Sequence, residues 1–186
     1  MQQNPGFAVQ RQASLNALDD REIDAPIIGL VRAFNRLPYC FTMQSCYGHF
    51  MWSRHQSPYN LDPLPAEFLD EPLKYRVAYL ALCLDNNERG RTLLRCLNLA
   101  VRIDPEYVQF GSAGWFWSTQ LNSYVLQVQP IRFQFNDETT VADEEARHLE
   151  RVRRRLLEAL RRVVAGFARS FAAAEASEKA VGTGTE

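Results

Sequence analysis

The sequence predicts an α+β fold: a single domain in which a mixed β-sheet is covered by helices and a long amphipathic helix closes the chain. Three observations predict it. Apolar, β-prone runs at residues 39–44, 74–85 and 123–135 alternate with segments of helical periodicity. A stripe of apolar residues stepping by three and four runs from Leu149 to Phe171. A chain of 186 residues with a 46% hydrophobic fraction suits one core that needs no staples.

Along the chain, residues 1–13 read as a disordered N-terminus, 14–172 as the domain and 173–186 as a disordered tail. The mixed stretch "SLNALDDREID" reads as a short helix. "DAPIIGLVRAFNRLP" is a clear one: Asp24 is a good N-cap and Pro26 stands in the first turn, where no backbone donor is needed. Ile27, Leu30, Val31 and Phe34 recur at helical spacing until Pro38 ends the element. "YCFTMQ" is a strand, "CYGHF" a turn or bulge in which Gly48 permits positive φ, and "FMWSRH" a second, short strand. Pro58, Pro63, Pro65 and Pro72 exclude long regular structure from residues 56–73, which read as a surface loop.

"KYRVAYLALCLD" is apolar enough to be one central strand. "NNERGRTLLRCLNLAVRI" is a helix with Leu93, Leu97 and Ala100 on one face. In "EYVQFGSAGWFWS" two glycines break an aromatic-rich run. "SYVLQVQPIRFQF" is a strand with Tyr124, Leu126 and Val128 on one side, its far half demoted to an edge by Pro130. Asp143, Glu144 and Glu145 open the last helix, as the helix dipole favours, and Leu149, Val152, Leu156, Leu160, Val163, Phe167 and Phe171 form its stripe.

A formal net charge of −1 leaves no global basic excess of the kind that phosphate neutralisation requires of a free-standing nucleic-acid binder. The opening "MQQNPGFAVQRQ" lacks an apolar secretory core, and no run reaches the ~18 apolar residues of a membrane span. Four cysteines without a C-x-x-C pair fit reduced thiols, so the expected location is cytoplasmic and no membrane partner is expected.

The least ordinary stretch is "LPYCFTMQSCYGHF", residues 37–50. Cys40, Cys46, His49 and His55 are ligand types that zinc accepts, but their wide spacing lacks the tight pairs of structural sites, and no metal is expected. Cys46 lies three residues before His49, so a turn would bring thiol and imidazole together as a candidate catalytic pair. A third reading is a binding turn, in which the Ser45 hydroxyl, the Cys46 thiol and the Gly48 amide cradle a carboxylate or phosphate. Tyr47, Trp52, Trp115 or Trp117 would supply an aromatic wall, with Ser112 and Gly114 beside it. In the helix "RHLERVRRRLLEALRR", Glu150 precedes Arg154 by four and Glu158 precedes Arg162 by four, as in a solvated face, whereas Arg147, Arg151 and Arg155 line up without such a partner. No phosphate-binding loop, dinucleotide fingerprint or H-E-x-x-H motif is present.

Residues 21–50 also carry a family pattern. The stretch "REIDAPIIGLVRAFNRLPYCFTMQSCYGHF" resembles the opening of the tRNA wybutosine-synthesizing protein 3 family, which pairs an Asp-led, Asn-ended helix with a Y-[YF]-T-T-S-S-C-S-G-R motif. Asp24, Asn35, Tyr39, Phe41, Thr42, Ser45, Cys46 and Gly48 carry the match, while Gln44, Tyr47 and His49 stand where the family has serine, serine and arginine. The order of later elements, including a small-residue turn at 111–114, is similar. The resemblance implies a small α+β methyltransferase that uses S-adenosylmethionine to methylate a nitrogen of a modified tRNA guanosine. It implies that Thr42, Ser45, Cys46 and Gly48 form the substrate or cofactor cradle, with His49 available as a proton acceptor. The rival expectation is a non-catalytic module on the same fold that binds a small molecule or a protein.

Overall fold

Among the described residues, seven strands and four α-helices, with short 3-10 turns between them, are seen in the computed structural model. It describes residues 1–182 apart from positions 54, 58, 117, 118, 134 and 135, with side chains up to position 170. The α+β class stands, but the expected single mixed sheet is resolved into two, each antiparallel. One has the order β1 (Cys40–Cys46), β4 (Ala78–Leu84), β6 (Ser123–Val128), β5 (Val108–Ser112); the other runs β2 (His49–Met51), β3 (Leu73–Arg76), β7 (Glu138–Val141).

The two sheets are one long hairpin ribbon bent at a corner. Cys46 pairs with Tyr79 on one side of the bend and His49 with Arg76 on the other. "KYRVAYLALCLD" is therefore two strands broken at Val77, whose amide bonds the Asp137 carbonyl instead of the ladder. On the facing strand the bend is made by Gly48, at φ +90. A Cβ there would lie 2.8 Å from the Ala78 Cβ, so the close approach itself demands glycine. The Tyr75 hydroxyl donates to the Val128 carbonyl and accepts from the Ala78 amide, which ties the corner to β6.

Alternation assigns the two faces of the larger sheet. Leu80, Leu82, Leu126, Val128 and Val108 face a core closed by α2 (Ile28–Asn35), α3 (Glu88–Leu99) and α4 (Asp143–Gly182). Leu149, Val152, Leu156, Leu160 and Val164 are the buried positions of α4, each such side chain contributing ~1.5–3 kcal/mol on transfer from water. The opposite face carries Tyr79, Ala81 and Cys83 of β4 with Val125 and Gln127 of β6. A bulge at Met43 shifts the β1 register between Thr42 and Gln44. Thr42 therefore lies opposite Leu82, on the core side, while Gln44 lies opposite Ala81, on the other.

Two terminal expectations are corrected. Residues 7–17, mostly read as disordered, form α1 (Phe7–Ala17). It buries only Phe7, against Phe41 and Cys83, which is why no apolar stripe announced it. Its polar side chains hold it instead: Arg11 donates to the carbonyls of Cys40 and Asn35, and Ser14 to that of Thr42. These are backbone acceptors along edge strand β1 and at the end of α2 that would otherwise need water. At the other end, α4 runs on to Gly182, because "AAAEASEKAV" is rich in strong helix formers. The side chain of Phe171 and residues 183–186 lie outside the described part, as do positions 134 and 135; the far half of "SYVLQVQPIRFQF", expected as an edge strand, instead forms a short 3-10 turn at Ile131–Phe133, after Pro130. The nearer half ends as a strand at Val128, before Pro130.

Candidate functional site

The helix that Asp24 leads and Asn35 ends is clamped to β1 at both ends. Asp24 stands at the N-cap position but makes no side-chain cap bond. Its Oδ2 instead accepts the Tyr47 amide at 2.6 Å. At the far end Asn35 Oδ1 accepts the Thr42 amide at 2.7 Å, while its Nδ2 donates to the Thr42 hydroxyl at 2.9 Å. Asn35 and Thr42 are both buried, so these bonds are shielded from competition by water. Thr42 is thus tied into the fold by Asn35, and it also borders the groove that Ser45 lines.

At the corner, Cys46 and His49 do come together, and Asp24 joins them. The ligand atoms of Asp24, Cys46 and His49 all lie within 4.8 Å of one another. His49 Nε2 is 3.2 Å from Asp24 Oδ2, and its Nδ1 is 2.9 Å from the Asn60 carbonyl oxygen, at the far end of the first half of the Pro-rich loop. Both neighbours only accept, so both ring nitrogens donate and the ring is an imidazolium. The hydrogen bond to Asp24, then that to Cys46, push its pKa up to about 10 against the cost of burial. For Asp24, burial alone would raise the carboxyl, but the bonds from His49 and the Tyr47 amide outweigh it and hold the pKa below its usual value. Both ring nitrogens of His49 are engaged at the corner, by Asp24 and the Asn60 carbonyl, and His49 does not border the larger hollow on the open sheet face.

Nor does the corner hold a ligand-sized hollow. The Gly48 amide points at Cys46 Sγ, 3.4 Å away. Arg153, buried at 4% exposure, stacks over the Tyr47 ring at 3.9 Å and donates to the Gly48 carbonyl at 2.6 Å. The remaining void, bordered by Cys46, Tyr47, Arg153 and apolar side chains, measures about 20 Å³. Ser45 faces elsewhere, into a groove of about 360 Å³ between β1 and the Ser14–Ile23 segment. Cys40, buried at the other end of β1, and exposed His55 are separate from the cluster, so the zinc set considered from spacing does not assemble.

Space for a ligand exists on the face of the larger sheet turned away from α4. Gln44, Tyr79, Val125 and Gln127, with Arg76, Asp137 and Trp115, border a hollow of about 450 Å³. A second, of about 640 Å³, continues along β5 past Gln109 and Ser112, and Trp115 borders both. Trp115 is 60% exposed, an unusual state for the largest apolar side chain. The carboxamides form a row: Gln127 Nε2 donates to Gln109 Oε1 at 2.9 Å, and Tyr79 faces Gln44. Of the expected wall, Trp115 and Ser112 are here; Gly114, in the turn between them, has nothing within 4 Å of a notional Cβ and is not required to be glycine. Trp117 lies outside the described residues. Gln44, Tyr79, Gln109, Gln127, Arg76 and Asp137 were missed; alternating glutamines at 127 and 129 inside an apolar strand were the available signal.

The arginines of α4 divide. Arg147 is spent on Asp143 at 2.6 Å and on the Pro65 and Glu67 carbonyls, while its guanidinium covers the Phe68 ring. This pins the second half of the Pro-rich loop and corrects the reading of Arg147 as unpartnered. Arg154 and Arg162 pair with Glu150 and Glu158 as the spacing predicted. Arg151 and Arg155 are exposed, but α4 covers the core side of the sheet, opposite the hollow.

No family model matches the chain, and no curated protein matches it. Among solved structures, the PH1069 protein from Pyrococcus horikoshii is similar at 16% identity and a TM-score of 0.46, over 87% of this chain and 96% of that one. A protein from Aeropyrum pernix described as hypothetical is similar at 15% identity and a TM-score of 0.37, over 79% and 96% of the two chains. These are distant likenesses, and the functional reading rests on this chain's own residues. Among the described residues, no helix is long and apolar enough to cross a membrane.

Proposed function

We propose that this chain binds a flat, polar-edged heteroaromatic ligand on the open sheet face, and that it is a methyltransferase-like protein using S-adenosylmethionine. The observation that carries the reading is the 450 Å³ hollow, with exposed Trp115 as one wall and a row of carboxamides as its floor. An aromatic wall supplies stacking, and Gln44 and Gln127 offer both donors and acceptors to a ring edge. Arg76 and Asp137 set a cation and an anion at the same rim, as a zwitterionic amino-acid tail requires. The residues present thus fit the cofactor that the resemblance over residues 21–50 implies. When bound, that cofactor supplies an electrophilic methyl group. The chain's part is to hold an acceptor nitrogen in line and exclude water, an arrangement that removes ~7–11 kcal/mol of barrier. Asp137 is the carboxylate among the described residues lining this hollow and is engaged by the cofactor's ammonium, so the proton that the methylated nitrogen releases passes to water.

The placement of the hollow favours a small molecule or a single nucleoside over contacts along a tRNA body, since the exposed arginines of α4 lie on the other side of the sheet. Four free cysteines accord with a cytoplasmic setting.

Calorimetry with S-adenosylmethionine tests the reading. Saturable heat is expected, weakened roughly 5- to 150-fold by Trp115→Ala, since stacking of a base on an aromatic ring is worth ~1–3 kcal/mol. Arg151→Glu with Arg155→Glu should leave it unchanged. Flat heats with the intact chain would remove the cofactor assignment. Saturable binding without methyl transfer to any guanosine or tRNA acceptor would identify the non-catalytic module.

A further inference from the structure

The corner cluster has a use that the open-face reading leaves untouched. We propose that Asp24, Cys46 and His49 form a structural zinc site that locks the bent ribbon to the entrance of α2. The three groups come from three separate pieces of chain: the turn before α2, the end of β1 and the start of β2. Tetrahedral zinc, with Zn–S ~2.3 Å and Zn–N or Zn–O ~2.0–2.2 Å, holds its ligand atoms ~3.3–3.8 Å apart. Here they already lie within 4.8 Å of one another, with Nε2 and Oδ2 at 3.2 Å, so the widest separation has to close by no more than about 1–1.5 Å.

The surroundings are those of a ligand set. His49 is 3% exposed, and its Nδ1–H donates to the Asn60 carbonyl, which fixes the ring with Nε2 toward the cluster. Metal-bound histidines almost always make such a bond with their other nitrogen. The Gly48 amide donates to the Cys46 sulfur at 3.4 Å, and the Tyr47 amide orients the carboxylate. A void of about 20 Å³ lies beside Cys46 but not beside Asp24 or His49, so it is not the fourth coordination position, which three protein ligands leave to a water. Arg153 borders that void, and its buried Nε has no hydrogen-bond partner; a water there would accept from it. The donor set of thiolate, imidazole and carboxylate selects zinc over magnesium or calcium.

Loading the site with zinc is balanced in charge. Asp⁻, imidazolium and thiol sum to zero. Zn²⁺ with Asp⁻, neutral imidazole and thiolate sum to zero as well. One ion replaces two protons, one from His49 Nε2 and one from the Cys46 sulfur, so the three ligands and what they hold carry the same summed charge in both states.

Cobalt(II) titration of the full chain after chelator treatment tests the site. We expect saturation at one ion per chain, with a thiolate-to-cobalt charge-transfer band and the intense visible bands of a tetrahedral ion. Stoichiometric zinc should bleach both and release about two protons in weak buffer. Cys46→Ser should abolish the charge-transfer band and His49→Asn should weaken binding at least tenfold, while Cys96→Ser changes neither. Zinc should raise the Tm of the wild-type chain and not that of Asp24→Asn. A folded wild-type chain that shows no thiolate band at saturating cobalt overturns the proposal, whatever the variants do. So does a band that survives Cys46→Ser. Because these readouts involve no S-adenosylmethionine, their failure leaves the open-face reading standing, and the reverse holds too.

Discussion

Replacing Gly48 by alanine isolates the feature on which the corner depends. Two costs are legible in the structure. The backbone at φ +90 is disfavoured for any residue with a Cβ, at ~1–2 kcal/mol. The new Cβ would also sit 2.8 Å from the Ala78 Cβ and 3.1 Å from its Cα and N, and Ala78 belongs to β4, which is flanked by strands on both sides. Nothing in that contact is the end of a flexible side chain, so an overpacking cost of ~1–3 kcal/mol adds. Gly48→Ala should thus destabilise the chain by ~2–5 kcal/mol in urea unfolding, with the midpoint lowered and the slope unchanged. Ala78→Gly relieves the contact but not the dihedral, so the double mutant should recover part of the loss, a coupling of ~1–2 kcal/mol. Gly166→Ala, in α4 with nothing within 4 Å, is the control and should stabilise by ~0.5–1 kcal/mol. A Gly48→Ala chain within ~0.5 kcal/mol of wild type, or a strictly additive pair, would refute the account of the bend.

Other outcomes follow from single contacts. Asn35→Ala strips the buried Thr42 amide of its acceptor and should cost ~1–3 kcal/mol in the same assay. For the metal-free chain, His49 has a folded pKa raised to about 10 against an ordinary 6.5. Its contribution to stability is then complete below pH 6.5 and is lost as pH rises through about 10. Unfolding midpoints across that range, with a chelator present, should fall for wild type more than for Asp24→Asn. Arg147→Ala releases the Pro65 and Glu67 carbonyls, and limited proteolysis should then cut within residues 59–70 several times faster without a matching loss of global stability.

How much of this could be read beforehand differs between the helices and the site. The periodicity of Ile27, Leu30, Val31 and Phe34, and of Leu149, Val152, Leu156 and Leu160, reports packing against one surface, so α2 and α4 were legible. α1 was not, because its hold on the domain is made of side-chain bonds to backbone carbonyls, which leave no hydrophobic pattern. "KYRVAYLALCLD" misled for the opposite reason: Tyr75 on one side of Val77 and every β4 residue but Tyr79 on the other are buried, so the run stays largely apolar through a bend. Cys46 and His49 were legible as a pair because a glycine turn separates them. Asp24 was read as a helix cap, since its partner, the Tyr47 amide, lies 23 residues away.

The sequence by itself determined the α+β class, the major helices and the special character of residues 45–49, since propensity, periodicity and a required glycine act over a few residues. Only the tertiary structure decided which side chains share a site. The bulge at Met43 sends Gln44 to the open face, and the bend at Gly48 brings Asp24 and Arg153 to Cys46 and His49. Those placements depend on strand register and on contacts between distant segments, and a change of one residue in register would send each side chain to the opposite face.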